Sequence, residues 1–83
     1  MSATRYTSAE IVARGEEIYA RDLQAEVEQE HRGEFLVVDI ETGRYELDAD
    51  EVAALKRAVE QSPGPNHYIK RIGYSSAHGI GWS

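Results

Sequence analysis

The sequence predicts a small α+β fold: a two-layer sandwich in the order α-β-β-α-β, with a three-stranded mixed sheet and the helices on one face. Apolar residues recur at helical spacing before residue 32, form a run and then alternate with polar residues over 35–47, and return to helical spacing after Asp48. We expect residues 1–83 to form a single domain, because a chain of 83 residues has room for one modest core.

The first element is a long helix over about residues 8–32. Thr7 and Glu10 form a capping-box pattern at its start, and Gly33 is a plausible stop. Its apolar stripe consists of Ile11, Val12, Ile18, Tyr19, Leu23 and Val27. Such a helix is too long for so small a domain, so we expect it to bend or break between Glu26 and Glu30, or to pack on a second subunit. Gly15 inside the stripe suggests the close approach of another backbone.

A β-hairpin over 35–47 comes next, in the string FLVVDIETGRYEL. A loop of two or four residues, with Gly43 at positive φ, separates the side chains into two sets. One face then holds Leu36, Val38, Ile40, Tyr45 and Leu47, and the other holds Phe35, Val37, Asp39, Glu41, Arg44 and Glu46.

A second helix over 49–61, capped by Asp48, has the apolar stripe Val52, Leu55 and Val59. The segment Ser62-Pro63-Gly64-Pro65 ends it. A last strand over 67–74 and a glycine-rich tail over 75–83 complete the chain. A right-handed crossover through this helix makes the last strand parallel to the second strand.

The Asp39-x-Glu41 pair resembles the first motif of DnaQ-like 3′–5′ exonucleases, in which such a pair holds two catalytic metal ions. Two-metal cleavage needs several further carboxylates, and few residues follow Glu41 to supply them. We therefore interpret the string as a hairpin and keep a metal-dependent hydrolase using Asp39 and Glu41 as a remote alternative.

Other chemistry finds little support in the sequence. His31, His67 and His78 are far apart and lack metal-binding spacing, and no calcium loop, nucleophile elbow or phosphate-binding glycine loop is present. We predict no catalytic residues, no metal site and no cofactor.

The composition of the chain limits the kinds of partner and the location that we expect. The net charge is −6, and a surface of this charge repels phosphate backbones, so we expect no nucleic-acid binding. Residues 61–83 contain no acid. The chain has no cysteine, no signal-peptide pattern near Met1 and no apolar run that spans a membrane, so we expect a soluble, cytoplasmic protein that does not bind membranes.

Aromatic and basic residues are concentrated near the C-terminal end. Such residues are enriched at interface hot spots, so they form the candidate binding set: Tyr68, Lys70, Arg71, Tyr74 and Trp82. The alternative is a tail that folds back over the small core, and the two interpretations are compatible.

The strings RGEEIY, FLVVDIETGRYELD and IGYSSAHGIG together resemble a family of small, functionally uncharacterised bacterial proteins, and the resemblance covers nearly the whole chain. HGIG stands where that family tends to have an Arg before Ile-Gly. The resemblance implies a small acidic protein often encoded beside retropepsin-like proteases, and it supplies no catalytic residues.

The favoured function is a non-catalytic protein-interaction module that forms a homodimer. A core this small gains stability from association, and the aromatic C-terminal segment offers a contact surface. The alternative is an antitoxin-like or protease-accessory regulator that binds a co-encoded enzyme.

Overall fold

The computed structural model describes residues 5–74 and confirms the α+β class and the order α-β-β-α-β. The predicted tail over 75–83, including Trp82, lies outside the described residues. The elements are α1 (Ser8–Ile18), a π-helical turn (Tyr19–Leu23), α2 (Gln24–Glu30), β1 (Phe35–Asp39), β2 (Tyr45–Asp48), α3 (Glu51–Gln61) and β3 (His67–Arg71). No helix within residues 5–74 is long and apolar enough to cross a membrane.

The long first helix begins as predicted and departs from α geometry earlier than predicted. The Thr7 hydroxyl accepts the Glu10 N–H and the Glu10 carboxylate accepts the Thr7 N–H, so the capping box is confirmed. The irregularity is the π-helical turn, where the Gln24 N–H donates to the Tyr19 carbonyl, and not the segment between Glu26 and Glu30. The wider turn keeps residues four apart on the buried side: Tyr19, Leu23 and Val27.

The hairpin is confirmed, with the side chains divided as predicted. Val38 pairs with Tyr45, and the Asp39 N–H donates to the Arg44 carbonyl, which leaves a four-residue loop from Ile40 to Gly43. Gly43 has a φ of 82°, a conformation that glycine adopts without a steric penalty.

The sheet is antiparallel throughout, so the prediction of a mixed sheet is wrong. The strand order is β2-β1-β3, and β1 pairs antiparallel with both neighbours. Strand β3 does run in the same direction as β2, but β1 lies between them because the crossover carries the chain past β1. The last strand ends at Arg71, before Gly73 at a φ of 85°, and not at residue 74.

The helices lie on both faces of the sheet, so the prediction of two layers with helices on one face is also wrong. Leu36 packs with Tyr19, Leu23 and Val27 of the first helix, whereas Val37 packs with Ala54 and Ala58 of α3. Strand β1 is apolar on both faces and fully buried at Leu36, Val37 and Val38. A central strand of this kind needs a cover on each side, which gives three layers.

Candidate interaction surface

Helix α3 rests on the sheet through its small residues. Asp50, not Asp48, caps it: the Asp50 carboxylate accepts the Val52 N–H at 3.2 Å. Ala54 and Ala58 are buried against Val37. Because alanine is short, it lets the helix approach the strands closely.

The predicted apolar stripe of α3 is therefore not its buried side. Leu55 is half-buried and packs against the Val37–Ala54–Ala58 cluster, but Val52 is 70% exposed and Val59 is 41% exposed. The stripe lies on the flank of the helix, between its buried side and solvent. These exposed valines make this flank of α3 a candidate contact surface.

Arg57 fixes the opposite flank of α3 to β2. Its guanidinium donates to the Glu46 carboxylate at 3.1 Å, to the Asp48 carboxylate at 2.9 Å and to the Leu47 carbonyl at 2.9 Å. The Asp50 N–H and then Arg57 hold the pKa of Asp48 below its ordinary value. This fork keeps α3 over β1 and β2. At about 100° per residue, Leu55 and Val59 project from the flank of α3 opposite Arg57. Because the strand order is β2-β1-β3, that flank is on the side of β3.

Strand β3 forms the open half of the same face. Its Ile69 is half-buried and packs against the cluster beneath α3. At the end of the strand, the Arg71 guanidinium lies 5.3 Å from the Phe35 ring centre and 4.3 Å from that of Tyr74, which is 52% exposed. We name this area the α3–β3 surface and define it by Val52, Leu55, Val59, Ile69, Arg71 and Tyr74.

The outer edge of β3 also carries backbone polar groups that point away from β1. Ile72 donates its N–H to the Glu34 carbonyl and Asn66 accepts the Ile40 N–H, so alternate residues of β3 face β1. The groups of His67, Ile69 and Arg71 then face outward. Within residues 5–74, no strand pairs with this edge.

The structure separates the predicted binding residues. Arg71 and Tyr74 lie on the α3–β3 surface, whereas Tyr68 and Lys70 lie on the opposite face beneath the first helix. The Lys70 ammonium is 4.9 Å from the Tyr19 ring centre, and Tyr68 is only 3% exposed. Trp82 lies outside the described residues.

Tyr68 fills a notch that Gly15 provides in α1. A Cβ atom on Gly15 would lie 2.1 Å from Cγ of Tyr68, so the close approach expected there comes from a ring and not from a backbone. The Tyr68 hydroxyl donates to the Glu16 carboxylate, and the Tyr19 hydroxyl donates to Glu28 at 2.8 Å. Burial, reinforced by these carboxylates, raises the pKa of both tyrosines well above the ordinary value.

The Asp39–Glu41 pair serves the hairpin. One Asp39 carboxylate oxygen accepts the Glu41 N–H at 2.8 Å and the other accepts the Ser62 hydroxyl at 2.6 Å. Asp39 is buried and Glu41 is exposed. In the described part of the chain, no three His, Asp or Glu side chains come together as metal ligands would.

A groove of about 420 Å³ lies between the hairpin loop and the end of α3. Its polar lining includes Arg44, Glu46, Gln61 and Ser62. Glu46 is paired with Arg57 and the Ser62 hydroxyl with Asp39, so two of these groups already have partners within the fold. We assign no ligand to this groove.

No family model, curated protein or solved structure matches the chain. The resemblance to small uncharacterised bacterial proteins therefore remains an expectation. The two faces of the sheet supply the observations that bear on function.

The residues that the sequence argument missed are Val52 and Val59 as surface groups. A signal for them was present: α3 has a row of alanines, Ala54 and Ala58, beside its row of larger apolar residues. Two apolar rows on one short helix exceed what a single buried side requires.

Proposed function

We propose that this chain is a non-catalytic protein-interaction domain that self-associates through the α3–β3 surface. The observation that carries the proposal is the exposure of Val52 and Val59 beside Leu55, on the side of α3 that faces the open half of the sheet. Covering these side chains removes apolar area from water, at roughly 25 cal/mol for each Å². A second copy supplies a surface of the same composition.

The size of the protein favours self-association over a solitary domain. A chain of 83 residues without cysteine has neither a large core nor disulfides, and association is a frequent source of additional stability at this size. The lack of cysteine also suits a reducing compartment, and a cytoplasmic location is part of the proposal.

A co-encoded enzyme is the second candidate for this surface, as the family resemblance implies. Tyr74 and Arg71 fit such a partner, because tyrosine and arginine are enriched at interface hot spots. In that case the domain would bind its partner as a regulator. Co-expression with neighbouring genes would then yield a stoichiometric complex. The double variant Val52→Asp, Val59→Asp would not form it.

The experiment is light scattering coupled to size-exclusion chromatography over a range of concentrations. The unmodified chain is expected to form dimers, and the double variant Val52→Asp, Val59→Asp is expected to be monomeric because its charges repel across the contact. The matched control is Ala13→Asp, Ala20→Asp, which places the same charges seven residues apart at exposed positions of the first helix.

The control is expected to dimerise like the unmodified chain. A monomer at every concentration for the unmodified chain would overturn self-association. A dimer that survives the valine substitutions would remove the α3–β3 surface from the proposal.

A further inference from the structure

Strand β3 has an open backbone edge. The N–H groups of His67, Ile69 and Arg71 point away from β1, as do the carbonyls of His67 and Ile69, and within residues 5–74 none of these groups forms a hydrogen bond. The Arg71 carbonyl accepts the Tyr74 N–H at 3.2 Å. Donors and acceptors on every second residue of an outer strand have the spacing that pairing with one further strand requires.

The opposite edge of the sheet, on β2, is already occupied. Leu47 is an outward residue of β2, and its carbonyl accepts from the Arg57 guanidinium at 2.9 Å. The β2 side chains on the α3 face are the acids Glu46 and Asp48, and both accept from the same guanidinium. In the described part of the chain, no side chain bonds to the outward groups of β3 in this way. The edge available to another strand is therefore β3.

The charges along β3 are basic. The strand contains Lys70 and Arg71 and no acid. The Lys70 ammonium lies 4.9 Å from the Tyr19 ring centre, and the Arg71 guanidinium donates to the Gly33 carbonyl at 3.1 Å. Among the described residues, neither cation forms an ion pair with an acid. This edge of an otherwise acidic protein therefore attracts negative charge.

We infer that the outer edge of β3 binds an extended, acidic segment of a partner protein, which adds to the sheet as an antiparallel strand. This inference goes beyond the proposed self-association, because it concerns the backbone edge of β3 and an occupant other than a second copy of the chain. The backbone supplies affinity, and the side chains along β3 select the sequence that binds.

The side chains of β3 set the order of residues in the added segment. In an antiparallel strand, the residues opposite Arg71 and Lys70 come first, and acids are complementary there. The residue opposite Ile69 follows, and an apolar side chain suits it, because Ile69 packs against the cluster beneath α3. Tyr68 comes next and donates its hydroxyl to the Glu16 carboxylate, so an uncharged residue fits at that position.

A second copy of β3 fits this edge poorly. Twofold pairing about Ile69 would place His67 opposite the partner's Arg71, which is no match for a basic strand. It would also keep both first helices on the same face of the joined sheet. Gly15 of α1 packs on Tyr68 of β3, so the two helices would lie over strands about 4.8 Å apart. Packed helices need about 8–10 Å.

The test uses a short synthetic peptide with two adjacent glutamates before a central valine and threonine at every other position, acetylated and amidated at its ends. Titration into the full chain, at a concentration where the chain is monomeric, gives the affinity. Replacement of both glutamates by lysine is expected to weaken binding at least about tenfold. The affinity for the glutamate peptide is expected to fall as salt is added.

A matched pair of methylated peptides tests the backbone contact. Methylation of the valine nitrogen removes the donor to the Ile69 carbonyl, whereas methylation of the next nitrogen modifies a group that faces away from β3. We expect the first change to weaken binding about tenfold or more and the second to leave it nearly unchanged. Both changes leave the protein untouched, so its folding does not affect the comparison.

Nuclear magnetic resonance of the isotope-labelled chain locates the peptide. The amide signals of His67, Ile69 and Arg71 are expected to shift most, and those of Tyr68 and Lys70, which already face β1, are expected to shift less. Shifts without this alternation would overturn strand addition, as would equal binding of the two methylated peptides.

Three further results would contradict the inference. Tight binding of the lysine peptide would overturn the acidic class of the partner. Shifts of the same amides with protein concentration alone would assign the edge to a second copy of the chain. Absence of binding by the glutamate peptide would remove the site. None of these results decides whether the valine flank of α3 self-associates, because light scattering of the Val52→Asp, Val59→Asp variant tests that proposal separately.

Discussion

The two faces of the central sheet are covered in opposite ways. On the first face, large side chains from both layers interlock, and Tyr19, Leu23, Val27, Leu36 and Ile72 are all buried. On the second face, α3 approaches through Ala54 and Ala58 and leaves its valines exposed. The first face therefore has the packing that stabilises the fold, whereas the second combines adequate packing with an apolar surface available to another molecule.

The largest expected difference between the faces concerns aliphatic truncation. Leu36→Ala removes a fully buried side chain and is expected to lower the free energy of unfolding by about 3 kcal/mol. Val52→Ala, on the exposed flank of α3, is expected to change it by no more than about 0.5 kcal/mol. Urea unfolding at a concentration where the chain is monomeric measures both. If Val52→Ala lowers the free energy of unfolding by about 2 kcal/mol or more, as core truncations do, the proposed difference between the two faces is contradicted.

The notch at Gly15 gives the next largest effect. Gly15→Ala places a methyl group where the Tyr68 ring lies, and we expect a loss of about 2 kcal/mol after the helix-propensity gain of about 1 kcal/mol is included. In a Tyr68→Ala background the clash is absent, and the same substitution is expected to stabilise the protein. A double-mutant cycle measures the coupling. Equal effects in both backgrounds would show that the Tyr68 ring is not the obstacle.

The same face makes the fold sensitive to alkali. The raised pKa values of Tyr19 and Tyr68 favour their neutral forms in the folded state. Their contribution is fully present below the unfolded tyrosine pKa of about 10 and is lost as pH rises above it. The stability of the double variant Tyr19→Phe, Tyr68→Phe is expected to fall less between pH 9 and about 11. Tyr45→Phe, at the exposed start of β2, is the control and should follow the unmodified chain.

The polar fork beneath α3 gives a smaller effect at low pH. Because the folded pKa of Asp48 is depressed, its contribution is present above the ordinary value of 3.8 and is lost as pH falls through the folded pKa. Asp48→Asn is expected to flatten the acid side of the stability curve, measured by thermal unfolding between pH 5 and about 2. An unchanged acid slope would show that the charge of Asp48 does not contribute to the stability of the fold.

Residue spacing and capping patterns predicted the helices and strands correctly. They did not predict the strand order or the faces of the sheet on which the helices pack. The two faces of the hairpin over 35–47 were predicted correctly. Side chains alternate along a strand with a period of two, and a loop with an even number of residues then fixes which of them share a face. The π-helical turn at Tyr19–Leu23 depends on which side chains of the first helix pack against the sheet. The spacing of apolar residues along the helix does not specify that packing. The position of β3 beside β1 depends likewise on tertiary packing.

The candidate surface was less predictable. The residue types of Arg71 and Tyr74 predict an interface role, and the structure places both residues beside α3. Tyr68 has the same type, but the notch at Gly15 buries it. The sequence predicts Val52 and Val59 on the apolar stripe of the helix, because larger apolar residues usually occupy the buried side. In the structure, the closeness of helix and sheet favours Ala54 and Ala58 there.

The most direct test of this division is amide hydrogen exchange followed by mass spectrometry at low and high protein concentration. We expect the protection of α3 (Glu51–Gln61) and of β3 to rise with concentration, while the protection of α1 and α2 stays constant. In the Val52→Asp, Val59→Asp variant, the concentration dependence is expected to disappear. Protection that rises on α1 and α2 instead, or that does not change with concentration anywhere, would contradict the assignment of the second face to association.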